Sequence, residues 1–339
     1  MSKELIIPVF IPHLGCEHRC VFCNQRKISG QATIPTLEEI RSQVGEYRKS
    51  CSNLNEREVH LAFYGGSFTG IDLNLQKQFL SLAHDLKQQG LIAKIRLSTR
   101  ADYINDEVLE RLKFYQVDIV ELGVQSMDEE VLKLSKRGHT AEDVVKAAHL
   151  IKQAGISLGL QMMIALPGDT PEKSLSTAQK IIDLKPDFVR IYPTAIIKDT
   201  ELAQMWQEGV YKPWDWDILL DTTAKIALLF QKNNILIIRI GLQAADNLHL
   251  GQDLLGGAYH PALGELVKGR IRRMCLEEKL KAMPENCAYI ISCAPKLLSQ
   301  FKGQKNCNVL YFAQKYHQRL YIAADEQINT DEPEIKPMN

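Results

Sequence analysis

The feature that most constrains this chain is a regular alternation of short apolar runs with amphipathic helical segments. The runs are rich in β-branched residues, whereas the segments between them repeat their apolar residues at helical spacing. This order predicts a parallel sheet whose strands are joined by helices, and strands that are apolar at nearly every position predict a sheet covered on both faces. The runs that we interpret as strands span residues 5–11, 58–65, 93–98, 117–124, 156–166, 187–193 and 235–240.

The segments between the runs carry helix-end signals. Asn105 and Thr140 precede acidic first turns as N-caps, and Gly155 follows a helical pattern as a C-cap. Periodicity alone does not separate a parallel barrel from an open doubly wound sheet, so both architectures stay open at this point. The segments that we interpret as helices span residues 36–50, 74–89, 105–115, 140–155, 172–186 and 216–233.

The character of the chain changes after Gly241, where a glycine-rich irregular stretch leads into a helical pattern. Beyond Pro284, apolar runs at 287–293, 307–313 and 318–324 read as strands of a small α/β unit. The acidic end with its prolines predicts disorder. The domains that we predict are a core over residues 1–240, a C-terminal extension with a small α/β domain over 241–325, and a disordered tail over 326–339.

Composition excludes several classes of protein. The 41 basic residues balance 41 acidic ones, so no global charge points to nucleic acid. No apolar run reaches the length of a membrane span, and the first residues lack a signal-peptide cleavage site, so we expect a cytoplasmic protein with no membrane partner. Three of the eight cysteines are clustered and five are scattered, which is not the pattern of a secreted disulfide framework.

The clustered cysteines, Cys16, Cys20 and Cys23, form a CxxxCxxC motif directly after the first predicted strand. In α/β folds the C-terminal ends of the strands carry the chemistry. Three thiolates suit a structural zinc ion, for which His13 or His18 would be the fourth ligand. They also suit an iron–sulfur cubane with one iron left open, and the spacing favours this second possibility.

Other motifs accompany the cysteines. Phe22 precedes the last cysteine, and the second strand ends in YGGSFTG; LSTRADYI, ELGVQSM, KRGHT, MIALPGDT and VRIYPTAII then follow in that order. This series resembles the radical S-adenosylmethionine (SAM) enzymes, in particular the radical SAM domain of the Elongator catalytic subunit and its bacterial relatives. The coproporphyrinogen dehydrogenase group is more distantly similar. The resemblance covers residues 4–240.

The resemblance has implications for fold and chemistry. It implies a laterally open, partial parallel (β/α)6 barrel of TIM type, with the small α/β unit as an appendage. It implies that the three cysteines bind a [4Fe–4S] cluster whose remaining iron is chelated by the amine and carboxylate of SAM. An electron would then cleave SAM to a 5′-deoxyadenosyl radical that abstracts hydrogen from a substrate. An electron donor such as ferredoxin or flavodoxin is the partner that this chemistry implies.

The resemblance also implies the first SAM ligands. Gly65 and Gly66 end the second strand, where a glycine pair by itself would favour a tight turn. Glycine also permits close backbone approach to a ligand, and in the family this backbone meets the SAM amino group. Ser98 matches a position where many relatives carry a ribose-binding glutamate, although serine reaches less far.

Three longer side chains complete the predicted SAM site. The resemblance implies that Gln125 contacts the ribose or carboxylate and that Arg137 pairs with the carboxylate, which a guanidinium fork matches well. A lone arginine in such a segment is otherwise most often a solvated charge. Gln161, at a position that is acidic or histidine in relatives, either faces the adenosine or fills the barrel.

Substrate ligands are predicted from polar residues near the later strand ends. Tyr192, Arg190, Arg239 and Gln243 would each bind substrate or complete a structural interaction, because charges inside a barrel need partners. His260, with Glu265, lies in a glycine-flanked segment that is either a lid over the barrel or an ordinary connection in which Pro261 begins a helix. We take Tyr192, Arg239 and His260 as the catalytic candidates.

The sequence therefore predicts a radical SAM enzyme, with a tRNA base as the first candidate substrate. The alternatives are radical chemistry on a tetrapyrrole or another small molecule, and a binding protein that handles a cluster or haem without turnover. After Pro284 no Q/RxxGxG/A acetyl-CoA loop follows, so we expect no acetyltransferase domain. Carboxymethylation of the tRNA wobble uridine therefore cannot simply be transferred from Elongator.

Overall fold

The computed structural model describes residues 3–11, 14–17, 19–29, 33–242, 249, 251–284 and 286–338. Its strands are β1 (Lys3–Ile11), β2 (Arg57–Gly65), β3 (Lys94–Thr99), β4 (Ile119–Gln125), β5 (Ser157–Ile164), β6 (Phe188–Pro193), β7 (Ala195–Ile197), β8 (Leu236–Ile240), β9 (Leu254–Gly257), β10 (Ala288–Cys293), β11 (Arg319–Ala324) and β12 (Glu334–Pro337). Its helices are α1 (Gln25–Ser29), α2 (Leu37–Ser50), α3 (Leu73–Gln88), α4 (Asp106–Phe114), α5 (Glu129–Leu134), α6 (Ala141–Gln153), α7 (Pro171–Asp183), α8 (Glu201–Gln207), α9 (Trp216–Lys232), α10 (Leu263–Leu280), α11 (Leu298–Lys302) and α12 (Cys307–Tyr316).

The chain divides into two compact units. The first comprises Met1–Trp214 and Leu229–Tyr259, and the second comprises Asp215–Leu228 and His260–Asn339. This division differs from the predicted boundary at residue 240 in two places. The second unit takes most of α9 from the predicted core, and the first unit takes β9 from the predicted extension.

The first unit is built on a seven-stranded parallel sheet in the order β1-β2-β3-β4-β5-β6-β8. Each strand lies beside the next strand of this sheet along the chain, with Ile11 opposite Gly65 at the ends of β1 and β2. The sheet curls, so that Tyr64 on β2 and Arg190 on β6 hydrogen-bond across its concave face. This architecture confirms the expected partial barrel of radical SAM type.

Burial on both faces explains the apolar runs. Leu61, Ala62 and Phe63 are consecutive on β2 and all three are fully buried, although their side chains alternate between the two faces. One face packs against the helices and the other lines the barrel interior. The interior is the surface on which functional side chains are positioned.

The predicted helix starts are present. Thr140 and Asp143 form a capping box at the start of α6, and Asn105 accepts a hydrogen bond from the Val108 amide at the start of α4. Thr170 caps α7, whose first residue is Pro171. These caps satisfy amide groups that would otherwise lack partners, and they fix where each helix leaves the strand before it.

A short antiparallel pair, β7 with β9, was not predicted. Ala195 lies opposite Gly257, and Ile197 lies opposite Leu254. Strand β7 follows β6 after a single residue, Thr194, whose hydroxyl donates to the Ile164 carbonyl across 2.7 Å. The glycine-rich stretch after Gly241 therefore returns to the first unit instead of forming a separate extension.

The second unit contains a three-stranded sheet in the order β11-β10-β12, with α10, α11 and α12 around it. Strands β10 and β11 are parallel, whereas β10 and β12 are antiparallel. Its core is apolar and includes Tyr289, Ile291, Phe301 and Phe312. The appendage is therefore an α/β unit with its own hydrophobic core.

One predicted strand of this unit is wrong. Residues 307–313 begin α12, because Asn308 and Phe312 are buried at a spacing of four residues on one helix face. The Asn308 amide donates to the carbonyl oxygens of Gly269, Gln300 and Phe301. A short apolar run fits a buried helix as well as a strand, and here tertiary packing selected the helix.

The chain end also differs from expectation. Residues 334–337, expected to be disordered, form β12 along the edge of β10, with Ile335 opposite Ile291. Ile335 packs against the apolar core. The rest of β12 is held by backbone hydrogen bonds to β10, which amino-acid composition does not predict. As for membranes, the described part of the chain has no helix long and apolar enough to span one.

Candidate active site

The cysteine loop follows β1 and lies against the loop that follows β2. The Ser67 amide donates to the Leu14 carbonyl across 2.9 Å. A Cβ atom on Gly66 would lie 2.0 Å from the Leu14 oxygen, and one on Gly15 would lie 2.1 Å from the Ser67 oxygen. Only glycine permits this approach, so Gly66 has a structural role in bringing the two loops together.

The middle of the cysteine motif is anchored by Val21, which is buried. Its amide donates to the Ser135 carbonyl across 3.1 Å, and its carbonyl accepts from the Leu202 amide across 2.8 Å. Its side chain packs with Ile196 and Tyr211. The position of Val21 is therefore fixed, and Cys20 and Cys23 lie on either side of it in the sequence.

The thiols lie in a common electrostatic environment. Burial, together with the neighbouring Cys20 and Cys16, raises the pKa of the Cys23 thiol to about 12, whereas Arg137 opposes the rise. The Cys16 sulfur lies 3.5 Å from the Ser67 hydroxyl, and the Cys20 sulfur lies 3.5 Å from Nη1 of Arg137. Three thiolates this close repel one another, and a bound cationic centre would remove that repulsion. The donor set therefore fits a cluster.

Within the described ranges, no three histidine, cysteine, aspartate or glutamate side chains converge on one ion-sized position. A cubane does not require such convergence, because each thiolate binds a different iron. His13 and His18, the candidate fourth ligands of a zinc site, lie outside the described residues.

Arg137 brings the cysteine loop together with the ends of β4 and β5. Its Nη2 donates to the Gly123 carbonyl across 2.6 Å. A Cβ atom on Gly123 would lie 2.9 Å from this nitrogen and 2.8 Å from Nε2 of Gln125, so glycine provides the space for both side chains. Gln125 has a φ of 66° next to a register shift in β4, and its Oε1 accepts from Gln161 across 3.3 Å.

Arg137 is itself held by residues that sequence reasoning missed. Arg100, which is buried, donates from Nη1 to the Arg137 carbonyl across 2.6 Å, and Asp102 fixes its guanidinium through two bonds of 2.9 and 2.8 Å. Burial, with the charges of Arg137 and Arg100, lowers the pKa of His139 to about 3. His139 is therefore neutral, and its Nε2 donates to the Val124 carbonyl. Arg100 and Asp102 lie in the LSTRADYI motif, which was the sequence signal that could have identified these supporting residues.

Ser98 is half-buried and stands opposite Glu121 in the register of β3 and β4. Among the hydrogen bonds of the described chain, none joins Ser98 to Gln125, Gln161 or Arg137. The structure thus brings Gln125, Gln161 and Arg137 together but does not join Ser98 to them.

Deeper in the barrel, Glu121 is almost fully buried among cationic groups. Its Oε2 lies 2.6 Å from Nε of Arg190, and its Oε1 lies 2.7 Å from Nε of Arg96 and 3.0 Å from the Tyr64 hydroxyl. Arg190 is therefore a structural ion pair, one of the two possibilities that the sequence left open. Glu121 and Arg96 were missed, although a single charged residue inside an apolar strand is a signal in each case.

Two of the catalytic candidates lie on neighbouring strands of this barrel. The Tyr192 hydroxyl accepts from Nη1 of Arg190 across 3.2 Å. Arg239 stands opposite Arg190 in the register of β6 and β8, and its Nε donates to the Gly241 carbonyl across 3.3 Å. Both side chains are half-buried. Gln243 lies outside the described residues.

His260, the third candidate, belongs to the second unit. Its Nδ1 accepts from the Ala262 amide and its carbonyl accepts from the Leu263 amide, each across 3.0 Å. Helix α10 therefore begins at Leu263, two residues after Pro261, where the alternative of an ordinary connection placed the helix start. These contacts give His260 a role at the entry to the helix.

Family models match most of the chain. Residues 10–181 match the model of the Radical SAM superfamily, which is half of the chain, and residues 186–273 match the Radical SAM C-terminal domain. The chain belongs to the radical SAM superfamily. This membership confirms the resemblance that the motifs carried, and it makes the chain one of a family of enzymes.

The curated relatives of this radical SAM chain include tRNA-modifying enzymes. It is 28% identical over 252 residues to the tRNA uridine(34) acetyltransferase of Methanocaldococcus infernus, covering 63% of this chain and 47% of that protein. It is 27% identical over 219 residues to Elongator complex protein 3 of Saccharomyces cerevisiae, covering 59% and 39%. The chain thus spans about half the length of the curated relatives that it matches, or less.

A solved structure agrees with this radical SAM fold. The archaeal Methanocaldococcus infernus Elp3 with an N-terminal deletion superposes with a TM-score of 0.64 at 24% identity. The superposition covers 83% of this chain and 64% of that one. At this identity the likeness supports the fold alone.

Proposed function

We propose that Cys16, Cys20 and Cys23 bind a [4Fe–4S] cluster and that the chain cleaves SAM reductively. The observation that carries this proposal is the position of Arg137. Its guanidinium lies beside the Cys20 sulfur and is held by the Gly123 carbonyl at the end of β4. A cation fixed next to one of three grouped thiols suits the carboxylate of a ligand bound beside the cluster.

When bound, the cluster supplies the electron that cleaves SAM to a 5′-deoxyadenosyl radical able to abstract hydrogen from a substrate. The residues of the chain bind and orient SAM. Arg137 pairs with its carboxylate, the backbone of Gly65 and Gly66 meets its amino group, and Gln125 contacts the ribose or the carboxylate.

The adenosine half of SAM would meet two further side chains. Gln161 donates to Gln125, which leaves the second amide hydrogen and the carbonyl oxygen of Gln161 for the adenosine. Ser98 lies on β3, the strand next to that of Gln125, and would reach the ribose only through its short hydroxyl. We therefore assign the larger share of adenosine binding to Gln161.

For the substrate, we propose a tRNA base. The support is the similarity to proteins named for tRNA uridine(34) chemistry, of which this chain spans about half. Tyr192 and Arg239, at the ends of β6 and β8, would contact the substrate from within the barrel. A ferredoxin or flavodoxin would supply the electron.

The experiment that tests SAM cleavage is anaerobic. The protein is reconstituted with iron and sulfide, given SAM and dithionite, and 5′-deoxyadenosine is quantified by mass spectrometry. We expect product from the wild type and from Cys51→Ala, because Cys51 follows α2 away from the motif. We expect none from Cys20→Ala, and equal product from that variant would contradict the proposal.

The tRNA assignment has a separate test. Binding of purified tRNA to the reconstituted protein should weaken steeply as salt rises, because phosphate contacts release counterions. If tRNA does not bind at low salt while 5′-deoxyadenosine is still formed, the substrate assignment fails and the SAM chemistry stands. His260→Ala, measured for SAM binding and for 5′-deoxyadenosine formation, tests whether His260 takes part in turnover, and unchanged turnover would remove it from the catalytic candidates.

A further inference from the structure

The charges inside the barrel of the first unit do not balance. Three guanidinium groups lie along its interior strands, on Arg96, Arg190 and Arg239. The carboxylates that reach them in the described part of the chain are those of Glu121 and Glu4, the latter 3.6 Å from Nη1 of Arg96. Two carboxylates against three guanidinium groups leave one positive charge over.

The excess charge falls on Arg239, because no carboxylate of the described residues forms an ion pair with it. The Glu121 carboxylate accepts hydrogen bonds from two nitrogens of Arg190 and from the Tyr64 hydroxyl, and its Oε1 lies 2.7 Å from Nε of Arg96 in an ion pair. Arg239 donates only from Nε, to the Gly241 carbonyl, and its terminal nitrogens contact no acceptor in the described ranges.

A second donor is directed to the same end of the sheet. The Tyr192 hydroxyl accepts from Arg190, so its own hydrogen must point elsewhere. Ile191 pairs with Ile240, and the Gly241 amide donates to the Ile191 carbonyl, which puts Gly241 next to Tyr192 across the strands. The bond from Arg239 to Gly241 therefore carries its guanidinium toward the level of Tyr192.

We propose that Arg239 and Tyr192 form a subsite for an oxyanion of the substrate, either a phosphate or a carboxylate group. A half-buried guanidinium without a carboxylate partner is costly, and a planar or tetrahedral oxyanion offers the acceptors that its fork matches. Arg190 adds positive potential behind Tyr192, and Glu121 fixes Arg190 in place. The inference rests on the proposed function, since it names the chemical class of the substrate of that barrel.

Direct binding of small anions tests the subsite without SAM cleavage. Inorganic phosphate and acetate are titrated separately into the reconstituted protein by calorimetry, at constant ionic strength. The variants are Arg239→Gln and Tyr192→Phe, with Arg57→Gln as the matched control because Arg57 is exposed at the far end of β2. Thermal unfolding of each variant shows that it is folded.

We expect one of the two anions to bind the wild type and the Arg57 variant equally. Arg239→Gln should weaken that binding about tenfold or more, and Tyr192→Phe should weaken it less. Tighter binding of phosphate would indicate a nucleotide substrate, and tighter binding of acetate would indicate a carboxylate substrate. No binding to the wild type, or equal binding by a folded Arg239→Gln, would overturn the inference. If the reconstituted wild type formed no 5′-deoxyadenosine, the proposed function would fail instead. The failure of the subsite and the failure of the proposed function are therefore distinguishable.

Discussion

The two units of the chain bury different kinds of side chain. Inside the first unit, Arg96 and Glu121 are almost fully buried and Arg190 is mostly so, and the three form one ion-pair network. Inside the second unit the core cluster is apolar, and the carboxylates that pair with its cations reach the surface. Glu277 is partly exposed, and Arg270, although buried, pairs with the exposed Asp217 and the partly exposed Asp221. Both units are α/β structures from the same chain, so secondary structure does not explain the difference.

The difference indicates where the chain carries function. Burying an ion pair costs more desolvation than an apolar replacement would, so stability alone does not favour ionised groups in an interior. The first unit also makes room for them. A Cβ atom on Gly159 would lie 2.3 Å from the Phe188 ring and 3.0 Å from Cγ of Glu121. The second unit has the interior expected of a domain selected for folding.

The largest expected effect is at Glu121. Replacing it with alanine leaves Arg190 buried without a carboxylate and Arg96 with only the more distant Glu4, and we expect the free energy of unfolding to fall by about 3–5 kcal/mol. Chemical denaturation followed by circular dichroism measures the loss. The matched variant in the second unit is Glu277→Ala, which should cost about 1 kcal/mol or less. Equal costs would remove the contrast between the units.

In the second unit the largest polar effect should come from Asn308. Its amide satisfies three buried carbonyl groups, so Asn308→Ala should reduce the free energy of unfolding by about 1–3 kcal/mol. The same denaturation experiment measures it, with exposed Asn233→Ala as the control. A cost no greater than that of the control would mean that this core does not depend on the Asn308 amide.

Arginines of the two units should also differ in their effect on SAM binding. Arg137→Lys keeps the charge but loses the guanidinium fork, so we expect SAM to bind about tenfold more weakly, which corresponds to about 1.4 kcal/mol. Arg270, which pairs with Asp217 and Asp221 within the second unit, provides the control. Equilibrium binding of SAM should be unchanged in Arg270→Lys. Equal weakening in both variants would contradict the assignment of Arg137.

Two further effects concern acid stability. The pKa of His139 is about 3 when folded and about 6.5 when unfolded, so the unfolded chain binds the proton first. Stability from His139 is therefore lost as the pH falls from about 6.5 toward 3. For Glu277, burial raises the pKa, but hydrogen bonds from Lys315, Tyr316 and Tyr311 outweigh it and lower the pKa to about 2. Its stability is lost only below about pH 4.5.

Comparing the stability of each variant with that of the wild type isolates the pH range in which each side chain contributes. The stability of His139→Gln, measured against pH, should differ in slope from the wild type between about pH 6.5 and 3. The slope of Glu277→Gln should differ only below about pH 4.5. A change of slope in Glu277→Gln above pH 5 would show that its carboxylate is not stabilised as we describe.

Most of the first unit was predictable from sequence. All seven strands of its large sheet follow apolar runs, and the caps at Asn105 and Thr140 stand where the sequence put them. Periodicity worked because strands buried on both faces and amphipathic helices differ strongly in pattern. The pair β7 and β9 was missed because a three-residue strand is too short to show any period.

The site was only partly predictable. The motifs pointed to Gln125, Gln161 and Arg137, and the structure brings these three together. The Glu121 network was missed because its members come from separate strands, and only the curl of the sheet makes them neighbours. In the second unit, α12 and β12 depended on packing and backbone pairing, which a single sequence does not encode locally.

The most direct test of the central claim is spectroscopic. The reconstituted, reduced protein is examined by electron–nuclear double resonance with SAM that carries ¹⁷O in its carboxylate. If three cysteines hold a cluster with an open iron beside Arg137, a [4Fe–4S]⁺ signal should be present and should show coupling to ¹⁷O. A cluster signal without that coupling, or no cluster signal in the wild type, would contradict the account.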